Sequence, residues 1–323
     1  MKLLRHSPVC AALGVLLGCG AAFGERGPLD ALQASEETAR EFQERIEALA
    51  RSLQNSPLKT LTEQQRIARV EFVLGNTLFI LLHEMGHVHI SENRIPVLGR
   101  EEDEADTFAV ITMLRVGTNF SERVLTNASQ GWFLSARRDQ QTGAMPLYYD
   151  EHDLSPQRAY NIVCLMVGSD PVKYKHLADD AKMPESRQKT CKQNYAKAAK
   201  GWGEVLAPYW RAPDQPEIKI NVVYGDAEGP FEAFARAFRA LHLLETVAER
   251  SSATYAWSVP FTMEMISCDG PNASWDDETR ILKICYQLPF DFAQLYEAYV
   301  TPVPPAPPAV AASQKPKRRG KKT

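Results

Sequence analysis

Leu81-Leu82-His83-Glu84-Met85-Gly86-His87 carries an H-E-x-x-H pattern inside an apolar run. On a helix, His83 and His87 stand one turn apart on one face. Their imidazoles can then bind one zinc ion, while Glu84 reaches the water on that ion as general base. Such a match arises by chance in roughly 1% of chains this long. Two histidines and a glutamate beside Phe79, Ile80, Leu81 and Leu82 also need partners, because unpaired polar groups are costly to bury. A third ligand is available in Glu102-Asp103-Glu104-Ala105-Asp106, where Glu102 and Asp106 lie four apart and share a helix face. Glu102 can bind the metal. Asp106 can accept a hydrogen bond from the other nitrogen of a ligand histidine and hold its ring. The competing reading of the acidic run is a solvated helix start favoured by the helix dipole. The longer pattern H-E-x-x-H-x-x-G-x-x-H fails, since its last glycine and histidine positions are Ile90 and Asn93. His89 falls on the wrong side of the helix for the same metal and reads as a packing or surface residue. Asn76 shares the metal face but reads as a buried side chain bonded to backbone.

The elements that must position these residues are mostly helical. Phe42, Ile46, Leu49 and Leu53 recur at three and four residues and predict a helix over 29–53. Thr60-x-x-Glu63 reads as a capping box opening the next helix, which runs past Val70 to about His89. Residues 91–99 read as a loop. Further helices are expected over 100–114, 122–137, 156–167 and 186–206, with Ser155-Pro156 as cap and first-turn proline. After Pro213 the texture changes. Ile218, Ile220 and Val222 predict a strand, 231–249 a helix, and Phe261, Met263 and Met265 a second strand. Residues 274–288 read as a hairpin turning at Asp276-Asp277-Glu278-Thr279, with its second strand alternating through Leu288. The expected class is therefore α+β, predominantly α-helical, with a small sheet from the C-terminal segment. The expected organisation is one catalytic domain over 25–300, helical to 212 and α/β from 213.

The chain has 323 residues, 44% hydrophobic and 24% charged. That composition excludes collagen, a multi-span membrane protein and a fully disordered chain. Residues 1–24 read as an export signal: Lys2 and Arg5, an apolar run from Val9 to Leu17, and Ala22-Phe23-Gly24 before Glu25. The apolar run is too short to span about 30 Å of hydrocarbon. Leu16-Leu17-Gly18-Cys19 offers a second reading, a lipoprotein box with Cys19 lipidated. Either cleavage leaves Cys164, Cys191, Cys268 and Cys285, and an oxidising compartment favours pairing. The simplest of the three connectivities joins neighbours, Cys164–Cys191 and Cys268–Cys285; a cysteine zinc site lacks any C-x-x-C spacing. Residues 301–323 are Pro-rich and then basic, with six Lys and Arg, and read as a disordered tail. Removing the signal's two cations and the tail's six turns a formal −3 into −11 for residues 25–314. So acidic a body argues against nucleic acid as the main partner. The basic tail, or a lipid at Cys19, could instead touch an anionic membrane surface.

H-E-x-x-H followed by E-x-x-A-D resembles the gluzincin peptidases, including the thermolysin type and the prenyl-protein endopeptidase type. The chain more closely resembles a bacterial family of metallopeptidases, a domain of unknown function. The matching residues run from Leu81 to His87 and from Ile95 to Asp106. They continue through Asp150-Glu151-His152, Gln157 to Cys164, and Gly168-Ser169-Asp170-Pro171. The resemblance covers about 70–290. It implies a zincin-like fold, zinc at His83, His87 and Glu102, Glu84 as the catalytic base, and a peptide or protein substrate. In that family a segment like Cys268 to Tyr286 usually precedes the H-E-x-x-H helix; here it follows. The hairpin should then pack against the catalytic helices, where an edge strand can pair with an extended peptide.

His152 and Arg158 resemble the H-x-x-x-x-x-R element of the prenyl-protein endopeptidase type. By that resemblance His152 lies near the metal and helps stabilise the oxyanion, and Arg158, like Asp106, stands behind the residues that touch the metal. Tyr148 and Tyr149 are alternative donors. Among acidic neighbours, His152 also reads as a capping or surface residue. The expected activity is an exported, zinc-dependent peptidase. The alternative is a catalytically inactive protein of the cell envelope that keeps the fold to bind a partner. The sequence sets no oligomeric state.

Overall fold

A computed structural model describes residues 36–300 apart from Ser56. The signal segment, Cys10, Cys19 and the Pro-rich basic tail lie outside the described residues. Helix α1 (Glu36–Ser52) leads into α2 (Glu63–Glu92), a 30-residue helix. Its capping box is Thr62 with Gln65, not Thr60 with Glu63. Thr62 Oγ1 accepts from the Gln65 amide at 3.2 Å, and the Gln65 side chain accepts from the Thr62 amide at 2.9 Å. Residues 57–60 form a separate turn of 3-10 helix, which leaves Thr62 as the last extended residue. From Phe72 to Gly86 every residue of α2 is buried, as expected for a helix at the centre of a bundle.

Around it stand α3 (Glu101–Val116), α4 (Asn119–Thr142) and α5 (Ser155–Ser169), followed by α6 (Lys175–Asp180) and α7 (Glu185–Leu206). Helix α3 begins with four consecutive acidic residues, at the positive end of its dipole. Helix α4 is capped by Thr118, whose side chain accepts from the Ser121 amide. In α5 the cap position is Leu154, one residue before the expected Ser155. Leu154 is extended, and its amide donates to the Gln157 side chain at 3.1 Å. Cys164 of α5 bridges Cys191 of α7, with Cα atoms 5.0 Å apart.

The sheet has the order β1-β2-β4-β3. Strand β1 (Asn221–Tyr224) pairs in parallel with β2 (Thr262–Ile266), across a crossover containing α8 (Glu232–Leu241) and α9 (Leu243–Thr254). The single helix expected over 231–249 is broken at His242, which adopts φ 52°. The break lets Leu241, Leu243 and Leu244 all reach the core. Strand β3 (Ala273–Asp276) turns back into β4 (Ile281–Cys285), which lies parallel to β2. Asp276 closes the turn by accepting from the Glu278 and Thr279 amides, both at 3.0 Å.

Strand β4 stops at Cys285, and α10 (Gln287–Val300) replaces the strand expected through Leu288. Gln287 spends its side chain on the Cys268 backbone, accepting at 3.0 Å from the amide and donating to the carbonyl. Alternation over 282–288 cannot register that switch, because a helix start and a strand end share the same few apolar residues. Cys268–Cys285 ties the end of β2 to β4, with Cα atoms 5.5 Å apart. The protein is thus α+β and predominantly helical. The hairpin packs on α2: Arg280 pairs with Glu92 at the helix's C-terminal end, and Ala273 to Trp275 face the H-E-x-x-H segment across a cleft. No described helix is long and apolar enough to cross a membrane.

Candidate metal centre

His83 and His87 project from one face of α2, with ring centroids 4.8 Å apart and Nε2 atoms 3.2 Å apart. Gly86 between them lets α3 come in close. A Cβ at Gly86 would lie 2.9 Å from the Ala105 Cα, closer than real packing permits. That approach brings Glu102 and Asp106 against the two histidines. Asp106 Oδ1 bonds His83 Nδ1 at 2.8 Å, and Glu101 Oε1 bonds His87 Nδ1 at 2.8 Å. Both rings are therefore fixed from behind, with Nε2 turned forward, the arrangement that orients ligand histidines.

Glu102 Oε2 lies 3.0 Å from His83 Nε2, 3.4 Å from His87 Nε2 and 2.9 Å from His152 Nε2. Yet this oxygen is buried with no aligned hydrogen bond among the described residues. Ligand atoms of His83, Glu102 and His152 all fall within 4.8 Å of one another. Three imidazole nitrogens converging on one orphaned carboxylate oxygen form a donor set that fits a divalent transition metal better than a hydrogen-bond network. The residues present therefore suit a metal ion.

Behind His83 the support is deep. Arg158 of α5 donates to both Asp106 oxygens, at 2.7 and 2.6 Å. Its guanidinium sits 3.9 Å from the Trp132 ring centroid on α4. One chain of contacts, Trp132–Arg158–Asp106–His83, thus crosses four helices. Burial opposes ionisation of Asp106, but Arg158 and His83 outweigh it and hold the carboxyl at about 2. Burial likewise opposes the charge on Glu102, and the three imidazoles outweigh it, keeping Glu102 well below the carboxylate range. Burial works against protonated His87, yet Glu102 and Glu101 raise it to about 9. Burial pushes Glu84 above the ordinary carboxylate range.

The structure brings His83, Glu84, His87, Glu102, Asp106, His152 and Arg158 to one place. It does not bring Tyr148 or Tyr149 there: both are largely exposed and neither lines the cleft. His89 faces away, fully buried, and Asn76 donates to the Phe72 and Asn127 carbonyls, a structural role. Sequence reasoning missed Glu101, Gly86 and Trp132. Glu101 had a signal, since it follows the same acidic run into the helix start. Trp132 had none, because its partner is 26 residues away on another helix.

The cleft in front of the cluster has a volume of about 790 Å³. Glu84, Arg100 and Glu151 line one side, and Ala273, Ser274 and Trp275 of the edge strand β3 line the other. A family model, DUF4344, described as "Putative metallopeptidase", matches residues 39–206, more than half of the chain. The protein belongs to this family. The match includes every helix of the cluster and ends before the sheet. No curated protein and no solved structure matches the chain.

Proposed function

We propose that this protein is an exported zinc peptidase of zincin type, with His83, His87 and Glu102 holding the metal. The observation that carries this reading is the convergence of imidazole Nε2 atoms on Glu102 Oε2, one of them from His83, the residue next to the buried Glu84. A bound zinc ion would supply Lewis acidity and lower the pKa of water to about 7. Glu84 takes the proton from the attacking water and returns it to the leaving amine. Its raised affinity for protons suits that exchange. Asp106 and Glu101 keep the ligand rings in one tautomer and orientation, and Arg158 keeps Asp106 ionised. His152 donates to the developing oxyanion.

Strand β3 ends the sheet and borders the cleft, so an extended peptide can add to it as a further strand. Export follows from the charged, apolar and small-residue pattern of residues 1–24. Intact mass of the mature protein should report cleavage after Gly24; a lipid-modified mass beginning at Cys19 would replace that reading with membrane anchoring. For the activity, metal content and peptide-library digestion are measured on wild type and Glu84→Gln. We expect about one zinc in both proteins and a loss of roughly 10²–10⁴-fold in turnover for the variant. Undiminished cleavage by Glu84→Gln would refute the assignment.

A further inference from the structure

We propose that His152 is a fourth metal ligand in the substrate-free protein, and that the segment 143–154 carrying it is a latch that substrate displaces. The proposal rests on the metal-centre reading above and adds to it a resting state. Its Nε2 is 2.9 Å from Glu102 Oε2, closer than that of His87 at 3.4 Å. Its ring stacks near that of His83, with centroids 5.8 Å apart and planes 25° from parallel. An oxyanion donor must leave room for a carbonyl group between itself and the metal. His152 stands inside the ligand cluster and leaves no such room.

Its support differs in kind from that of the other two histidines. The carboxylates behind His83 and His87 belong to α3, and Asp106 is anchored further by Arg158. The carboxylate behind His152 is Asp150, on the same segment. Asp150 Oδ1 accepts from the His152 amide at 2.9 Å and lies 3.1 Å from its Nδ1. Residues 150–152 are therefore a self-contained unit, able to leave the cluster with their own hydrogen bonds intact. The side chain is 44% exposed, against 3% for His83 and 14% for His87. What ties the unit to the helices is Arg100, which pairs with Asp153 and donates to the Glu151 carbonyl at 2.6 Å. That tie is partly exposed to solvent, and ion pairs in such settings contribute little to stability. The same segment carries Met145, Tyr148 and Tyr149, each more than three-quarters exposed. These side chains lie outside the cleft and outside the core, so the segment can lift without pulling them from packed surroundings. Once displaced by a small distance, His152 becomes the nearest imidazole donor for the oxyanion.

The test uses the full chain loaded with cobalt(II) or zinc, and needs no turnover. Metal affinity is measured by chelator competition, and the visible cobalt spectrum reports the ligand set. His152→Ala should weaken affinity by at least about tenfold and change the cobalt spectrum, with added imidazole restoring both. Asp150→Ala, at an exposed position where folding is not at stake, should weaken affinity by about tenfold while leaving His152 in place. Circular dichroism of the metal-free variants should match wild type. An affinity within twofold of wild type together with an unchanged spectrum for His152→Ala overturns the latch and leaves the peptidase reading standing. A wild-type protein that binds neither metal overturns both.

Discussion

Three histidines share seven residues of α2, and the helix gives them two different environments. His83 and His87 face carboxylates: Asp106 and Glu101 behind, Glu102 in front. His89 faces rings. Its centroid is 4.3 Å from that of Tyr255, 4.7 Å from Trp257 and 5.1 Å from Phe108. Its Nδ1 meets the Asn93 side-chain amide at 3.2 Å, which leaves the proton on Nε2, and Nε2 has no partner among the described residues. Burial alone lowers His89 to about 3, whereas carboxylates overcome burial at His87 and raise it to about 9. A buried histidine by itself is thus a poor sign of a metal site. The distinguishing feature is a carboxylate on each ring nitrogen.

The sharpest way to break this contrast is to remove the cation behind the site. Arg158→Ala removes the charge partner of the buried Asp106 and leaves it only the bond to His83, and should cost about 3–5 kcal/mol in urea unfolding, with weaker metal binding. Gly86→Val pushes α3 away from α2 through the Ala105 contact. It should cost about 1–3 kcal/mol and reduce metal affinity in a chelator competition. Substituting the other histidine separates the two environments. His89→Phe keeps the ring stack, deletes an unpartnered nitrogen and gives up the bond from the part-exposed Asn93 amide, so stability should stay within about 1 kcal/mol, with metal affinity unchanged. A loss of metal on this substitution would show that the two faces of α2 are not independent.

The pH response of the chelator-stripped protein tests the same division through the protons that each histidine binds. Folded His87 holds its proton more tightly than the ordinary 6.5, so its contribution is complete below that pH and is lost as pH rises through about 9. Folded His89 resists protonation until about 3, so the unfolded chain binds the extra proton first as pH falls. Its share of stability is present above pH 6.5 and declines below it by about 1.4 kcal/mol per pH unit. Denaturation curves between pH 4 and 9 should show both limbs, and His89→Phe should flatten the acid limb alone. An unchanged acid slope in that variant would remove His89 as its cause.

Much of this centre was legible before any fold. A helix fixes the distance between residues four apart, so H-E-x-x-H and the Glu102–Asp106 pair state their own geometry. The same local rules placed α2, α3, α5 and α7 to within a few residues, and the even count of cysteines favoured the two bridges that form. Local rules failed where one pattern serves two structures. Alternation ran through Leu288 although the strand ends at Cys285, and the apolar spacing over 231–249 continued through a helix break at His242.

Sequence by itself determined which residues share a helix face and so could gather at one site, because backbone periodicity is a local property. Tertiary structure alone decided how near those helices come and what stands behind each ligand. Gly86 matters because Ala105 is opposite it, Arg158 because Trp132 and Asp106 are beside it, and β3 because it closes the cleft from a part of the chain almost 200 residues away. Those relations depend on packing between distant segments, and no spacing along the chain encodes them.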